Sequence, residues 1–217
     1  MTCPSVLIID VGLGNIGSVL AAFTRQKCSV ERVQRPPAPE FTRRYTHAVL
    51  PGVGSFANGV EVLRASGWAR WIKEVWCQSD RPFLGICLGM QLLASEGTEG
   101  ALTHAAVPGL DLIPGRVDRL NADPDLVLPH VGWNALHGHR TSTPLLQGLP
   151  EGGDMYFVHS YAFEPQDPSH GLAFSDHGQR FMAVVGKGSC YGVQFHPEKS
   201  QRLGRRVLEN FLALPPC

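Results

Sequence analysis

One cysteine of the chain lies between two glycines, where a short apolar run gives way to a helical pattern. The run Pro82-Phe-Leu-Gly-Ile86 predicts a strand, and a helix is expected from Gly89 to Ala94. The segment Gly85-Ile-Cys87-Leu-Gly89 therefore has the form of a nucleophile elbow, with cysteine in the position of the more usual serine. Glycines flank the nucleophile because the sharp turn brings backbone and side chains close together. We expect an α/β sheet with this cysteine held above one edge.

Short apolar runs alternate with helical patterns through the first half of the chain. They predict helices at Ser18–Arg25 and Trp68–Trp76, and strands at Val6–Asp10, Ser29–Val33 and His47–Leu50. The apolar residues of Trp68–Trp76 share one helical face, which we interpret as packing against a sheet and not as a ligand-stacking stripe. Alternation of this kind predicts a parallel sheet with right-handed crossovers.

The second half of the chain has a different pattern. Met155–His159, Met182–Val185 and Gly192–Phe195 predict strands of a mixed or antiparallel region, and an amphipathic helix is expected from Leu203 to Leu212. A length of 217 residues suits one domain. We therefore expect a single α/β domain over residues 1–217. Its central sheet should be mainly parallel and flanked by helices, with the mixed or antiparallel region in the second half.

The charged residues are balanced, with 19 Lys and Arg against 19 Asp and Glu. No basic block is longer than a pair, so binding of nucleic acid or of an anionic membrane is not expected. The apolar run Val6–Ile9 stops at Asp10, which makes it too short for the apolar part of a signal peptide. No segment approaches the ~20 apolar residues of a membrane helix. We expect a cytoplasmic protein.

A histidine and a glutamate near the end of the chain provide what a cysteine nucleophile needs. In Gln-Phe-His196-Pro-Glu198 the glutamate is close enough to hold one ring nitrogen of His196, which leaves the other nitrogen to face Cys87. The helix N-terminus behind the elbow favours the thiolate, and the N–H of Leu88 is expected to point at a developing oxyanion. These residues predict a thiolate acyl-transfer site with Cys87, His196 and Glu198 as its catalytic groups.

A second glycine motif, Gly12-Leu-Gly14-Asn-Ile-Gly17, also follows a strand and precedes a helix. Its pattern is that of a dinucleotide-binding turn, in which an acidic residue is expected ~20 residues further on. Glu31 lies nearer than that and in the middle of a predicted strand. We interpret the motif as a tight strand-to-helix turn or a loop that faces a partner, and dinucleotide binding remains an alternative.

The other cysteines and histidines are interpreted conservatively. The five cysteines besides Cys87 show no CxxC spacing and are expected to be mostly reduced core thiols. His130, His137 and His139 lie close together in sequence but without cysteines or carboxylates at zinc spacing, so we interpret them as surface or loop residues. No metal and no cofactor are expected.

Taken together, these motifs resemble those of the class I (triad) glutamine amidotransferases. Further stretches are similar to the glutaminase subunits of imidazole glycerol phosphate synthase, and the similarity extends from about Asp10 to Phe211. The stretches are Asp10–Asn15, Leu50–Gly54, Ile113–Val117, Pro129–Asn134, Tyr156–Tyr161 and Gln194–Ser200. Pro129–Asn134 is the stretch that distinguishes these glutaminase subunits from other class I amidotransferases.

The resemblance implies a mechanism and a set of site residues. Cys87 would attack the side-chain amide carbon of glutamine, and His196 would pass a proton to the departing ammonia. Water would then hydrolyse the thioester to glutamate. Under the same resemblance, the oxyanion hole would combine Leu88 with the Val53–Gly54 segment, where glycine tolerates a peptide flip. Glutamine would be held by Gly52, Gln91, Ser160 and Tyr161.

The resemblance also implies a partner, because a TIM-barrel cyclase of ~250 residues cannot fit in the same chain. Ammonia would pass to a separate cyclase subunit that makes imidazole glycerol phosphate in histidine biosynthesis. The docking face is expected to include Gly12, Asn15, Trp133, Asn134 and Lys199. Three alternatives stay open: a glutaminase for another synthase, a cysteine hydrolase or peptidase, and a dinucleotide-binding or regulatory module.

Overall fold

A computed structural model of the chain describes residues 3–102, 105–120, 127–139 and 143–216. In the first half, strands alternate with helices: β1 Ser5–Ile9, α1 Ile16–Thr24, β2 Ser29–Val33, α2 Pro39–Thr42, β3 His47–Gly52, α3 Phe56–Ala65, α4 Trp68–Trp71, β4 Phe83–Cys87 and α5 Leu88–Gln91. The second half is mostly strand: β5 Glu96–Gly97, β6 Val107–Pro108, β7 Gly115–Arg119, β8 His130–Leu136, β9 Gly153–His159, β10 Tyr161–Pro165, β11 Gly171–His177, β12 Gln179–Lys187, β13 Cys190–Val193 and α6 Gln201–Leu212.

The central sheet has seven strands in the order β11-β12-β13-β4-β3-β1-β2. The five strands from β13 to β2 run parallel, and β11 and β12 are antiparallel additions at one side. Strand β4, which ends in Cys87, lies in the middle and is buried throughout. The predicted class, an α/β fold with a mainly parallel sheet and further antiparallel strands, is confirmed.

Two apolar layers cover the faces of this sheet. Alternate residues of β1 point to opposite layers, with Val6 and Ile8 in one and Leu7 and Ile9 in the other. Helices α1 and α6 supply the first layer, and α3 and α4 supply the second. The strong burial of β1, β3 and β4 on both faces explains why their sequences are continuous apolar runs.

The remaining strands form two smaller sheets beside the central one. Four strands pair in the order β10-β7-β5-β6, and β8 pairs with β9 over the full length of both. The predicted strand at Gly192–Phe195 is found as β13, but it belongs to the central sheet. It is antiparallel to β12 and parallel to β4, because a tight turn after β12 returns the chain beside the central strand.

Local departures from the predicted helices have identifiable causes. The segment Trp68–Trp76 buries the expected face, but α4 ends at Trp71 and continues as a π-helical turn over Ile72–Trp76. Helix α5 stops at Gln91 and does not reach Ala94. There the carbonyl groups of Leu92, Leu93 and Ala94 accept hydrogen bonds from the backbone of residues 110–113.

No helix within the described ranges is both long and apolar enough to cross a membrane.

Candidate active site

The predicted elbow is a strained turn at the end of β4. Cys87 has φ 55° and ψ −111°, a conformation that residues with a side chain rarely adopt. A Cβ atom on Gly89 would lie 1.8 Å from the carbonyl oxygen of Leu50, and one on Gly85 would lie 2.4 Å from the carbonyl oxygen of Gly89. Only glycine fits at either position, so the two glycines are needed for the elbow to pack between β3 and β13.

His196 and Glu198 lie in the loop that follows β13, the strand next to the elbow. The N–H of His196 donates to the Tyr156 carbonyl at 2.9 Å, and the Ser200 hydroxyl donates to the His196 carbonyl at 2.7 Å. These bonds fix the backbone, so that the ring Nδ1 atom of His196 meets Glu198 Oε1 at 2.8 Å. The two side chains are only 7% and 2% exposed. Nδ1 is therefore hydrogen-bonded to the carboxylate, and Nε2 is the ring nitrogen that can interact with Cys87.

The charge on His196 depends on its two neighbours. Burial opposes a positive charge, but a side-chain hydrogen bond with Cys87 and the hydrogen bond that the ring donates to Glu198 outweigh it and raise the pKa of His196 to about 9. At neutral pH the ring therefore carries two protons, one directed to Glu198 and one toward Cys87. A protonated imidazole beside a sulfur atom is the arrangement that stabilises a thiolate nucleophile.

Two further groups contact the sulfur atom of Cys87. Its Sγ lies 3.6 Å from the carbonyl oxygen of Val158 on β9, and it accepts from Nε2 of Gln194 at 3.8 Å. Gln194 is fully buried and its amide had no predicted role. Helix α5 behind the elbow has only four residues, so its dipole contributes less than the sequence suggested.

A cavity of about 410 Å³ opens above the elbow, a volume suited to a small polar molecule. It brings together most of the residues that the sequence assigned to this site: Val53, Gly54, Cys87, Leu88, Gln91, Ser160, Tyr161, His196 and Lys199. Gly52 lies beneath the cavity instead of lining it. A Cβ atom there would approach the Leu88 Cβ to 3.2 Å, so Gly52 allows the β3 and β4 ends to meet.

The segment after β3 leaves the packed core and borders the cavity. Gly54 has φ +111°, which favours glycine, and a side chain there would meet nothing within 4 Å. Val53 is 46% exposed although it borders a buried strand. Val53 is thus accessible beside the cavity, whereas Leu88, which also lines it, is buried.

Among the lining residues that the sequence did not assign to this site, two carry ionisable side chains, Glu99 and His159. Glu99 follows β5. Burial raises the pKa of its carboxyl group above the usual value, and a hydrogen bond from the Phe56 backbone offsets only part of that rise. His159 ends β9 and is buried. Neither belongs to a spaced motif with Cys87, so no signal in a single sequence connects them to it. They reach the cavity through the smaller sheets, whose pairing is a tertiary feature.

The structure corrects two interpretations of the histidines and cysteines. His130 is buried on β8 and is not a surface or loop residue, because its ring stacks on Phe157. His137 and His139 both lie against Glu151, at 3.1 and 3.3 Å. Across the part of the chain that the structure describes, no group of three ligating side chains is arranged to hold a metal.

The five described cysteines are free thiols. Cys3 is exposed, which contradicts its assignment to the core, since it lies before β1 begins. Cys28 and Cys77 are half-buried and Cys190 is buried, and burial raises the pKa of each of the three, to about 11 for Cys28 and about 12 for Cys77. Cys217 lies outside the described residues.

The second glycine motif forms the turn between β1 and α1. The buried carboxylate of Asp10 accepts from the Gly12 N–H at 3.0 Å and pairs with Arg32, while Asn15 caps α1 by accepting from the Ser18 N–H at 3.2 Å. A Cβ atom on Gly14 would lie 3.5 Å from the Cα of Gly52. The turn therefore packs directly against the segment that leads into Val53 and Gly54.

The other residues predicted to face a partner lie on β8 and after Glu198. Trp133 is 47% exposed, and its ring packs edge-on against Tyr156 at 5.7 Å between centroids. The Lys199 ammonium lies 5.4 Å from the centre of the same Tyr156 ring. Asn134 is only partly exposed, because its amide is engaged with the carbonyl of Asp176. Trp133, Tyr156 and Lys199 form one continuous surface beside the cavity.

Comparisons with known proteins agree with this architecture. Residues 7–214 match the family model described as glutamine amidotransferase class-I. The chain is 51% identical to the imidazole glycerol phosphate synthase subunit HisH 1 of Prochlorococcus marinus strain MIT 9313, covering 98% of each chain. It is 42% identical to the corresponding HisH subunit of Rhodospirillum rubrum, over 97% of this chain and 99% of that one.

Among solved structures, PurLQS from Thermotoga maritima is similar with a TM-score of 0.72 at 16% identity, covering 97% of this chain and 98% of that chain. A glutamine amidotransferase from the same organism is similar with a TM-score of 0.68 at 17% identity, covering 99% of this chain and 100% of that one. At these identities the similarity concerns the fold alone.

Proposed function

This chain belongs to the class-I glutamine amidotransferases and, within them, to the HisH subunits, and on that premise we propose that residues 1–217 form a single domain whose catalytic groups are Cys87, His196 and Glu198. The substrate is glutamine and the products are glutamate and ammonia. One observation carries the proposal: a buried His196 that is bonded to Glu198 on one side and interacts with the strained Cys87 on the other, at the floor of a cavity.

The first half of the reaction transfers the γ-glutamyl group to sulfur. The Cys87 thiolate attacks the side-chain amide carbon, and the carbonyl oxygen becomes an oxyanion that accepts from the N–H of Leu88 and from the Val53–Gly54 backbone. The C–N bond then breaks while His196 gives its Nε2 proton to the nitrogen, so that ammonia leaves and a thioester remains. Glu198 stabilises the imidazolium before this step and holds the ring orientation throughout.

The second half returns the site to its starting state. Neutral His196 takes a proton from water, the hydroxide oxygen attacks the thioester carbonyl carbon, and the same oxyanion contacts stabilise the intermediate. The C–S bond breaks and the sulfur leaves as a thiolate beside the reprotonated imidazole. Glutamate is released. His196 thus serves as the acid in the first half of the reaction and as the base in the second.

The lining of the cavity supplies groups for the rest of the substrate. Gln91, Ser160 and Tyr161 line the cavity, and Gly52 lets the ends of β3 and β4 approach each other. Glu99 is the acidic side chain in the lining, and we assign it to the α-ammonium group of glutamine. A carboxylate at that end also disfavours substrates that lack the ammonium group.

We further propose that the ammonia passes to a separate cyclase subunit that makes imidazole glycerol phosphate, and that the complex is cytoplasmic. Gly12, Asn15, Trp133, Asn134 and Lys199 form the docking face. The support is positional: the turn after β1 contacts the oxyanion segment, and Lys199 borders the cavity while Trp133 extends the same surface. A partner seated there covers the opening through which ammonia would otherwise reach water.

A product assay tests this function. The protein is incubated with glutamine alone, then with the cyclase present, then with both the cyclase and the nucleotide substrate of the cyclase, and glutamate is measured in each case. We expect glutamate formation to increase when the cyclase and its substrate are added. Failure to form glutamate under all three conditions would contradict the proposal.

A further inference from the structure

The wall of the cavity contains a sharp bend that one histidine closes. Strand β9 ends at His159 and β10 begins at Tyr161, so the chain leaves one small sheet and enters another at Ser160. Nδ1 of His159 lies 2.9 Å from the carbonyl oxygen of Tyr161, two residues on, and the Ser160 carbonyl accepts from the Leu120 N–H at 2.9 Å. The His159 ring thus closes the bend, and His159, Ser160 and Tyr161 all line the cavity.

The hydrogen-bond partners of His130 and His159 determine which ring nitrogen of each carries the proton. Asn134 is oriented without ambiguity, since its oxygen accepts from the Ala135 N–H and its nitrogen faces the Asp176 carbonyl. That nitrogen also lies 3.4 Å from Nε2 of His130, so Nε2 must accept and the proton of His130 sits on Nδ1.

The proton on His130 fixes the position of the proton on His159, which lies in the cavity wall. Nδ1 of His130 lies 3.2 Å from Nε2 of His159 and donates to it, which places the proton of His159 on Nδ1, directed at the Tyr161 carbonyl. Every bond from Asn134 to Tyr161 therefore points the same way, and this requires both rings to be neutral.

The surroundings keep both rings neutral. His130 is 4% exposed and His159 is 6% exposed, and Phe157 and Phe181 pack against both of them. Burial lowers the pKa of His130 to about 4 and that of His159 to about 3, with further opposition from His177 against both and from His196 against His159. The chain of hydrogen bonds from Asn134 is consequently intact at physiological pH.

On the other side of the bend the chain of hydrogen bonds continues to the nucleophile. The Tyr161 carbonyl also accepts from Nε2 of Gln91 at 2.9 Å, and the same nitrogen donates to Oε1 of Gln194 at 3.1 Å. Nε2 of Gln194 then donates to the sulfur of Cys87 at 3.8 Å. The Tyr161 carbonyl is the point at which the histidine pair and the glutamine pair meet.

From this geometry we propose that His159, supported by His130, is a positioning residue of the glutaminase site. It holds the Ser160–Tyr161 wall and the Gln91 side chain at the spacing from Cys87 that bound glutamine requires. The inference deepens the proposed function and rests on it. The outer end of the chain, Asn134, lies on β8 next to Trp133, so the wall is tied to the strand that carries part of the docking face.

Paired substitutions at one position test the role of the donated hydrogen bond. In His159→Asn the side-chain nitrogen can replace Nδ1 as donor to Tyr161, whereas His159→Leu fills the site without a donor. In the complex with the cyclase we expect His159→Leu to raise the KM for glutamine about tenfold with a smaller change in kcat, and His159→Asn to stay within about threefold of wild type. Alkylation of Cys87 by iodoacetamide should be similar in all three proteins, because this small reagent can reach the sulfur without hydrogen bonds from the Ser160–Tyr161 wall.

A matched control separates positioning from general stability. His47 is also buried, and burial also lowers its pKa to about 4, but it packs on Phe211 at the start of β3. His47→Leu should change the free energy of unfolding and leave the KM for glutamine unchanged. If His159→Leu does not fold, His130→Leu replaces it, and its KM for glutamine should rise at least threefold.

The outcomes distinguish the two proposals. An active wild-type complex in which the substitutions at His159 and His130 leave the KM for glutamine unchanged overturns the positioning role. An equal rise in KM for His159→Asn and His159→Leu also overturns it, since the donor would then be irrelevant. A wild-type complex that forms no glutamate contradicts the glutaminase function itself.

Discussion

At the scale of single residues, the site depends on charges that are placed before the substrate arrives. His196 is held by Glu198 in one orientation and interacts with Cys87, and in the proposed mechanism its pKa of about 9 makes it an acid at the start of the reaction. The strain at Cys87, with φ 55°, is maintained because Gly85 and Gly89 let the elbow pack tightly. The glycines around Cys87 and the His-Pro-Glu sequence led to the prediction of a triad. Glu99 was not predictable because only tertiary structure brings it to the cavity. His159 and Gln194 lie in stretches that carry the resemblance, but nothing there assigned a role to their side chains.

The raised pKa of His196 predicts a pH-dependent stability. A group whose pKa is higher in the folded than in the unfolded chain stabilises the fold fully below its unfolded value, here about 6.5, and loses that contribution as pH rises through about 9. We expect the free energy of unfolding of the wild type to fall relative to that of His196→Asn between pH 6.5 and 9.5. Urea unfolding at several pH values measures this difference, and a difference that does not vary with pH would argue against the assigned protonation.

At the scale of elements, the sequence predicted the strands that carry the site better than the helices around them. Strand β4 and strand β2 were located within one residue, since β4 is a continuous apolar run and Pro36 and Pro37 follow β2. Helix α3 was not predicted, since Asn58-Gly59 interrupts its pattern. In the structure Gly59 lies against Leu92, where a Cβ would approach a methyl group to 3.0 Å. Such a packing requirement cannot be recognised from one sequence.

Tight packing of the elbow predicts that a glycine-to-alanine substitution in α5 destabilises the protein, whereas one in α1 does not. Gly89→Ala places a Cβ atom 1.8 Å from the Leu50 carbonyl oxygen and should lower the free energy of unfolding by about 3 kcal/mol. Gly17→Ala in α1 is the matched control, since only the Asn15 side chain lies within 4 Å of the added atom. There we expect a gain of up to about 1 kcal/mol. Denaturant unfolding compares the two, and similar effects would mean that the elbow is not tightly packed.

At the scale of the whole molecule, one edge of the central sheet gathers the groups that a partner would need to control. The turn after β1 packs against the segment leading to Val53, and Lys199 directly follows the triad glutamate in sequence. The chain is similar to HisH subunits over nearly its full length, so the stretches that form this edge have counterparts in the matched proteins. The resemblance in sequence supplied the candidate docking residues, and the structure adds that Asn134 is half-buried and engaged with Asp176.

The docking face predicts a selective loss of stimulation by the cyclase. Lys199→Ala and Asn15→Ser should lower the ratio of cyclase-stimulated to basal glutaminase activity about threefold, because both remove contacts with the partner. Serine retains the N-cap that Asn15 provides for α1. Lys73→Ala is the control, an exposed lysine that does not line the cavity. If both variants match wild type in this ratio and in affinity for the cyclase, the docking face lies elsewhere.

The central claim is that Cys87 generates the ammonia that the cyclase uses, and a single variant tests it with two nitrogen sources. Cys87→Ser should fold normally and bind the cyclase, but glutamine-dependent synthesis by the complex should fall about a thousandfold or more, since a serine hydroxyl is a far weaker nucleophile than a thiolate. With ammonium salt in place of glutamine, the same complex should form product at the wild-type rate. Retention of glutamine-dependent synthesis in Cys87→Ser would contradict the account.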